Sequence, residues 1–162
     1  MHKFYICLII CLTLFLSRLI PHPPNFTPLI AMAIYIPVLL GMNYLPILIL
    51  SYAFTDLIIG YHTGTHWTWG SIFFIGICSV YFSRNLYFRL AGSLLGALVF
   101  FILTNLGVWF SGMYDYSLNG IIECYVLALP FFTSSLISTF VFSLIFEFIN
   151  YSFISKLKIS KF

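Results

Sequence analysis

The sequence has very few charged residues. Lys, Arg, Asp and Glu make up 7% of its 162 residues, whereas an average soluble domain has about 25%. Apolar residues account for 62%, and so little charge can neither cover a water-soluble domain nor keep a chain disordered. Seven basic residues are also too few to form the basic stripe of a nucleic-acid-binding protein. The composition therefore indicates an integral membrane protein, with a single membrane domain over residues 1–162.

The sequence also lacks the residue patterns of metal sites and enzymes. The four cysteines lie in or beside apolar stretches without paired spacing, so neither a disulfide framework nor a zinc site is expected. His62 and His66 are four residues apart, but Gly64 lies between them and no third ligand is evident. No catalytic triad, phosphate loop or metalloprotease motif is present. We expect no metal, no cofactor and no enzymatic activity; an enzyme that uses His62 or His66 with Asp56 ranks last among the alternatives.

Long apolar stretches separated by polar, Gly or Pro residues predict six helices. A helix needs roughly 17–25 residues to cross a bilayer. The first, third, fifth and sixth approach or exceed this length, while the second and fourth are short, and the second taken alone could be a re-entrant segment. The predicted ranges are about 4–20, 28–40, 44–60, 69–82, 90–110 and 121–149.

The distribution of basic residues favours six crossings. Cytoplasmic loops of membrane proteins carry an excess of Lys and Arg. With six crossings and a cytoplasmic N-terminus, Arg18 is the basic residue left on the outer side. If either short helix failed to cross, the C-terminal lysines would also lie outside. The sequence therefore predicts six transmembrane helices, with both termini cytoplasmic. The basic residues placed inside are Lys3, Arg84, Arg89, Lys156, Lys158 and Lys161.

This topology brings the other polar residues to one depth near the outer face. Charged groups at membrane depth are costly unless they are paired or face a wet cavity. We therefore expect a lined outer pocket that binds a small ligand. The alternative is an ion pair between Arg18 and a carboxylate that only fixes helix packing. The residues expected at this layer are Arg18, His22, Asp56, His62, His66, Trp67, Asn105, Trp109, Tyr114, Asp115 and Glu123.

Each residue type in this layer suggests a role toward a polar, ring-containing ligand. Arg18 is expected to bind a carboxylate or phosphate, helped by the positive N-termini of the second, fourth and sixth helices. Asp56, Asn105 and Glu123 are expected to share hydrogen bonds with the ligand. The aromatic side chains expected to stack on or enclose its ring are Trp67, Trp109 and Tyr114.

Helix ends near this layer can be predicted from local signals. Thr27 followed by Pro28 is typical of a helix start, and Thr68 and Asn119 are candidate caps for the fourth and sixth helices. Pro130 interrupts the sixth helix, because proline has no backbone N–H to donate. The interrupted helix either lines a cavity or merely bends.

Several segments resemble an uncharacterised family of small bacterial membrane proteins. This family is usually grouped with the substrate-binding S-components of energy-coupling factor (ECF) transporters. The likeness runs from about Arg18 to Glu147. The segments that carry it are RLIPHPPNFTP at 18–28, DLIIGYH at 56–62, FFILTNLGVW at 100–109, GMY at 112–114 and CYVLALPFF at 124–132.

The resemblance implies a six-helix S-component fold in the bacterial inner membrane. Such a protein binds a micronutrient, often a vitamin, near its outer face, where the first and fifth loops contribute. Here those loops contain His22, Asn25 and residues 112–119. A separate transmembrane component and two ATPases would power uptake. The alanine-x-x-x-alanine docking patch common on helix 1 is replaced by Cys7 and Cys11, so a different partner or a solitary transporter is an alternative, as is a structural or assembly subunit.

Overall fold

The computed structural model describes the backbone of residues 2–159 and the side chains of residue 5 and residues 7–152. Every regular element in this part of the chain is helical, which confirms the predicted all-α class. Two short 3₁₀ turns, Met42–Tyr44 and Ser79–Phe82, accompany seven helices in the described residues. The helices are α1 (His2–Leu19), α2 (Leu29–Leu39), α3 (Leu45–Ile59), α4 (Thr65–Cys78), α5 (Leu86–Phe110), α6 (Leu118–Leu127) and α7 (Leu129–Ile159).

Three helical stretches of the described residues are long and apolar enough to cross a membrane. They are Met42–Ile59, Leu86–Phe110 and Leu129–Ser152. Shorter apolar helices cover Cys7–Leu19, Leu29–Leu39 and Leu118–Leu127. The chain is therefore a helical membrane protein by length and composition. The side chains of Lys3 and of the lysines at 156, 158 and 161, which the predicted topology uses, lie outside the described residues.

Helix α2 forms the centre of the fold. Its residues Leu29–Pro37 are all buried, and the helix contacts α3, α4, α5 and α7. A helix that is apolar on every side is buried on every side. At 11 residues and about 1.5 Å per residue, α2 is only about 16 Å long. Its shortness is tolerated because protein surrounds it.

The connections between helices define two ends of the bundle. Asn25, His62 and Met113 come from the α1–α2, α3–α4 and α5–α6 connections, and all three line one cavity. We call this the cavity end. The α2–α3 and α4–α5 connections lie at the other end, which we call the distal end. The successive helices α1 to α5 therefore run in alternating directions.

The sixth predicted helix is two helices in the structure. α6 ends at Leu127 and α7 begins at Leu129, with Ala128 between them. Pro130 is the second residue of α7, where a missing N–H costs no helical hydrogen bond. The predicted interruption at Pro130 is therefore a break that starts a new helix. Glu123, expected in the first turn of a helix beginning at residue 121, lies in the middle of α6.

Several predicted helix starts are wrong by a few residues. α4 begins at Thr65 after Gly64, so His66 and Trp67 are helical and Thr68 is not a cap. The cap of α6 is Ser117, whose Oγ accepts from the Gly120 N–H at 3.1 Å, not Asn119. α5 begins at Leu86, four residues early, because the Asn85 side chain accepts from the Phe88 N–H. α2 begins at Leu29, one residue later than predicted, with Pro28 and not Thr27 as its N-cap and without a side-chain cap bond.

A buried ion pair joins three helices at the distal end. Arg89 of α5 binds both carboxylate oxygens of Glu147 on α7, through Nε at 2.5 Å and Nη2 at 2.8 Å. The Tyr35 hydroxyl of α2 donates to Glu147 Oε1 at 2.9 Å. The Arg89 and Glu147 side chains are 13% and 9% exposed. This bidentate arrangement satisfies both ions where water is scarce.

Close packing of α4 against α5 depends on Gly107. A Cβ atom at this position would lie 2.3 Å from Cγ of Trp67. The Trp67 indole is stacked on Phe110, with ring centroids 5.9 Å apart. Because Gly107 has no side chain, the Trp67 indole can pack directly against α5.

We expect Glu147→Gln to lower the free energy of unfolding by about 3–5 kcal/mol, because it leaves the Arg89 charge buried without its counter-ion. Arg89→Met/Glu147→Met removes both charges and is expected to recover most of this loss. Arg84→Gln, an exposed control at the same end, should change stability by less than about 0.5 kcal/mol. Reversible unfolding in mixed micelles measures all three. A double variant as unstable as Glu147→Gln would contradict the explanation that the unpaired Arg89 charge causes the loss of stability.

Gly107→Ala is expected to lower the free energy of unfolding by about 1–3 kcal/mol, because the new methyl group must displace a stacked indole. Gly70→Ala on α4 is the matched control, since a Cβ there meets no atom within 4 Å. The control should leave stability unchanged or raise it slightly. Thermal unfolding midpoints of the two purified variants provide the comparison. Equal midpoints would show that Gly107 is not required for this packing.

Candidate functional site

A buried carboxylate near the end of α3 holds three helices together. Asp56 Oδ1 lies 2.6 Å from Nη1 of Arg18 on α1, and its Oδ2 accepts from Nε1 of Trp69 on α4 at 2.7 Å. The Asp56 side chain is 2% exposed. Both carboxylate oxygens are thus engaged by protein groups, as a buried charge requires.

Arg18 is less buried than its partner and has contacts on several sides. Nη1 also donates to Thr55 Oγ1 and to the Tyr52 carbonyl, the latter at 3.4 Å. The guanidinium lies over the Tyr52 ring, 4.4 Å from its centroid, within the range of a cation–π contact. Within the described residues, its three polar contacts all use Nη1. Its Nε and Nη2 donors remain for another group, and 16% of the side chain is exposed.

Arg18 lines a cavity of about 480 Å³ at the cavity end. Polar groups on the wall include Asn105 of α5 and the hydroxyls of Thr68, Thr104 and Ser135. Aromatic and aliphatic side chains supply the rest, among them Phe100, Phe101, Val108, Met113, Phe131 and Phe132. A volume of this size and a mostly apolar wall with a few placed polar groups are typical of small-molecule sites.

A second cavity of about 240 Å³ adjoins the first and shares Arg18, Asn25 and Tyr52 with it. His22 lines this smaller cavity. Asn25 has a φ of 61°, a left-handed conformation that asparagine adopts more readily than most residues. Its carbonyl accepts from the Ser138 hydroxyl of α7 at 3.4 Å. The α1–α2 connection is thereby tied to α7 beside the site.

The structure brings five of the predicted site residues to these cavities. Arg18, Asn25, His62 and Asn105 line the larger cavity, and His22 lines the smaller one. They come from four different parts of the chain. The group of polar residues that the sequence predicts near the outer face therefore includes residues that line the cavities.

The other predicted site residues lie outside both cavity walls. Asp56 lines neither cavity but pairs with Arg18, which lines both. The structure therefore contains both the ion pair and a cavity, which the sequence analysis treated as alternatives. Trp67 packs against Gly107, and Trp109 Nε1 donates to the Asp115 carbonyl at 3.0 Å within the α5–α6 connection. Exposed or half-buried positions away from the walls are occupied by His66, Tyr114, Asp115 and Glu123.

The sequence interpretation missed Tyr52 and the cavity hydroxyls. Tyr52 is four residues before Asp56, and residues four apart lie on the same face of a helix. That spacing was an available signal. Thr104 and Ser135 carry no comparable signal, because isolated hydroxyls are common in membrane helices. Trp69 was not among the expected site residues, although a buried indole N–H needs an acceptor and Asp56 is one.

The arrangement suits binding rather than metal coordination. No group of three or more His, Cys, Asp or Glu side chains that could hold a metal ion occurs among the described residues. Arg18 supplies charge-assisted donors, Asn105 supplies an amide, and the phenylalanines supply apolar surface for a ring. These groups can recognise a polar molecule with an unsaturated or aromatic part.

Comparison with known proteins places the chain in a family without assigning it an activity. No curated protein and no solved structure matches it. A family profile described as a family of unknown function, DUF6580, matches residues 1–160, nearly the whole chain. The protein therefore belongs to the DUF6580 family.

Proposed function

We propose that this protein captures a small water-soluble nutrient from outside the cell and serves as the substrate-binding subunit of an uptake system. The cavity that Arg18 lines carries this proposal. It offers a cationic donor and polar groups within a chain that is 62% apolar. Charged side chains at membrane depth mark ligand sites by default. Three connections reach the cavity, which would open on the outer side.

The proposed topology has six crossings of the bacterial inner membrane and cytoplasmic termini. The alternating directions of α1 to α5 support it, as does the protein environment that allows α2 and α4 to be short. In the ECF S-component interpretation, a separate transmembrane protein and ATPase subunits supply the energy. The sequence resemblance supports this interpretation. Cys7 and Cys11 at the usual docking patch leave a solitary transporter as the alternative.

A structural or assembly subunit is the competing function. Asp56 supports it, because both carboxylate oxygens already bind protein groups and need no ligand. Arg18 supports capture, because it is partly exposed and lines two cavities. The two functions differ in whether the cavity is occupied by a molecule that Arg18 helps to hold.

We expect Arg18→Met/Asp56→Asn to fold and to lose a bound molecule that the wild-type protein retains through purification. The double change removes both charges, whereas Arg18→Met alone leaves a buried carboxylate unpaired at a cost of about 3–5 kcal/mol. Losing a charge-assisted hydrogen bond worth about 1.5–3 kcal/mol weakens binding about 10- to 150-fold. Native mass spectrometry in mild detergent measures the retained mass, and thermal unfolding measures folding.

Arg84→Met is the matched control, because it removes an exposed arginine far from the cavity and should keep the molecule. If the double variant does not fold, Thr104→Phe distinguishes the capture function from the structural function. Thr104 lines the cavity and its hydroxyl bonds only to its own helix, so a larger side chain there blocks the site without disturbing the ion pair. Wild-type protein without a retained molecule, or variants that keep it, would favour the structural function.

The proposed topology predicts opposite labelling of two exposed connections. In a cysteine-free background, a membrane-impermeant maleimide added to intact cells should label Thr63→Cys in the α3–α4 connection. Ser83→Cys, between α4 and α5, should react only after the membrane is opened. Both positions are exposed, so accessibility in the folded protein does not separate them. Labelling of both sites in intact cells would contradict six crossings, and the reverse pattern would contradict cytoplasmic termini.

A further inference from the structure

The charge in the cavity is already balanced. Among the described side chains that line the two cavities, Arg18 is the only Lys, Arg, Asp or Glu. Its counter-ion Asp56 lies 2.6 Å away and lines neither cavity. Apart from the histidines His22 and His62, the described walls hold no further group that could balance the negative charge of an anion that entered. Burying such an unbalanced charge costs several kcal/mol.

Four of the hydroxyl groups on the wall, which also carries those of Tyr52 and Thr63, are committed in one direction. A carbonyl oxygen can only accept a hydrogen bond, so each of these hydroxyls uses its single proton on the backbone. The lone pairs of the hydroxyl oxygen remain for a ligand. Donor–acceptor distances are 2.6–3.2 Å for all four hydroxyls. The residues are Thr68, Thr104, Ser111 and Ser135, bonded to carbonyls three or four residues earlier on the chain.

The amide at Asn105 is partly committed in the same way. Its Nδ2 donates to the Phe101 carbonyl at 2.8 Å, which leaves Oδ1 as an acceptor. Arg18 has Nε and Nη2 to donate. The cavity thus combines one charged donor with several acceptors, and with uncharged donors from the second Asn105 N–H and the Tyr52 and Thr63 hydroxyls. These groups lie between the aromatic rings of Phe100, Phe101 and Phe132.

We infer that the ligand is an uncharged ring compound that carries both carbonyl and N–H or O–H groups, such as a lactam or a ring amide. Its carbonyl accepts from Arg18, its N–H or O–H groups donate to the wall hydroxyls and Asn105, and its ring lies among the phenylalanines. This inference rests on the proposed function and narrows it. It replaces the expectation from sequence that Arg18 binds a carboxylate or phosphate.

Matched pairs of uncharged and anionic probes test whether the cavity prefers uncharged ligands to anions. Suitable pairs are nicotinamide with nicotinate, indole-3-acetamide with indole-3-acetate, uracil with orotate, and inosine with inosine monophosphate. Each probe is titrated up to about 1 mM, about a million times the Kd of a nanomolar site, into purified protein in mild detergent. Native mass spectrometry measures the bound probe. At least one uncharged member should bind at least about tenfold more tightly than its anion.

A single substitution at Asp56 should reverse this preference. Asp56→Asn leaves Arg18 without its counter-ion, so the cavity becomes cationic although residue 56 does not line it. The anionic member of the preferred pair should then bind more tightly than the uncharged member. Asp115→Asn, an exposed carboxylate outside the cavity walls, is the matched control and should leave the wild-type preference unchanged. Thermal unfolding checks that both variants are folded.

The outcomes separate the inference from the proposed function. Tighter binding of an anion to wild-type protein, or binding of no uncharged probe, would overturn the inference. A molecule from the cells retained by wild-type protein would keep the proposed function in place even then. A wild-type protein that retains no cellular molecule and binds no probe would remove both. If Asp56→Asn does not fold, the wild-type probe pairs alone decide the inference.

Discussion

The arrangement of the cavity end depends on the ion pair between Arg18 and Asp56. In a low-dielectric environment each charge requires the other, so α1 and α3 must be neighbours at one register. Trp69 adds the same requirement for α4, because its indole N–H bonds the second carboxylate oxygen. Such a pair contributes little net stability relative to apolar packing, but a shifted register would leave two buried charges unpaired. Its main effect is to select one arrangement of three helices.

The distal end is fixed by the same kind of interaction between different helices. Arg89 and Glu147 join α5 to α7, and Tyr35 adds the central helix α2. Between the two polar clusters, α2 makes apolar contacts on every side. Apolar contacts allow similar packing at several registers, whereas hydrogen-bonded charges do not. The two clusters engage different helices, α1, α3 and α4 at one end and α2, α5 and α7 at the other, and together fix the bundle.

Much of this arrangement was visible in the sequence because charge is scarce. Arg18 and Asp56 could be expected to lie at one depth, and the apolar stretches gave the helices to within a few residues. The phase of each helix could not be predicted, because a helix that is apolar all round has no marked face. Glu123 was therefore assigned to a site whose walls it does not line. The Arg89–Glu147 pair was missed, since Arg89 was counted only as a cytoplasmic charge.

The cavity shows how backbone geometry sets the polarity of a site inside a membrane protein. A hydroxyl on a membrane helix finds its nearest acceptor one turn back along its own chain, and Thr104 and Ser135 both use it. That bond uses the hydroxyl proton on the backbone and leaves the lone pairs of the oxygen to accept. Donors must then come from side chains whose own protons are not consumed by the helix, and Arg18 is such a side chain. Because Asp56 balances its charge from behind, Arg18 can present N–H groups to the cavity without making the cavity strongly cationic. A site built in this way distinguishes ligands by their hydrogen-bonding groups more than by attraction to their charge.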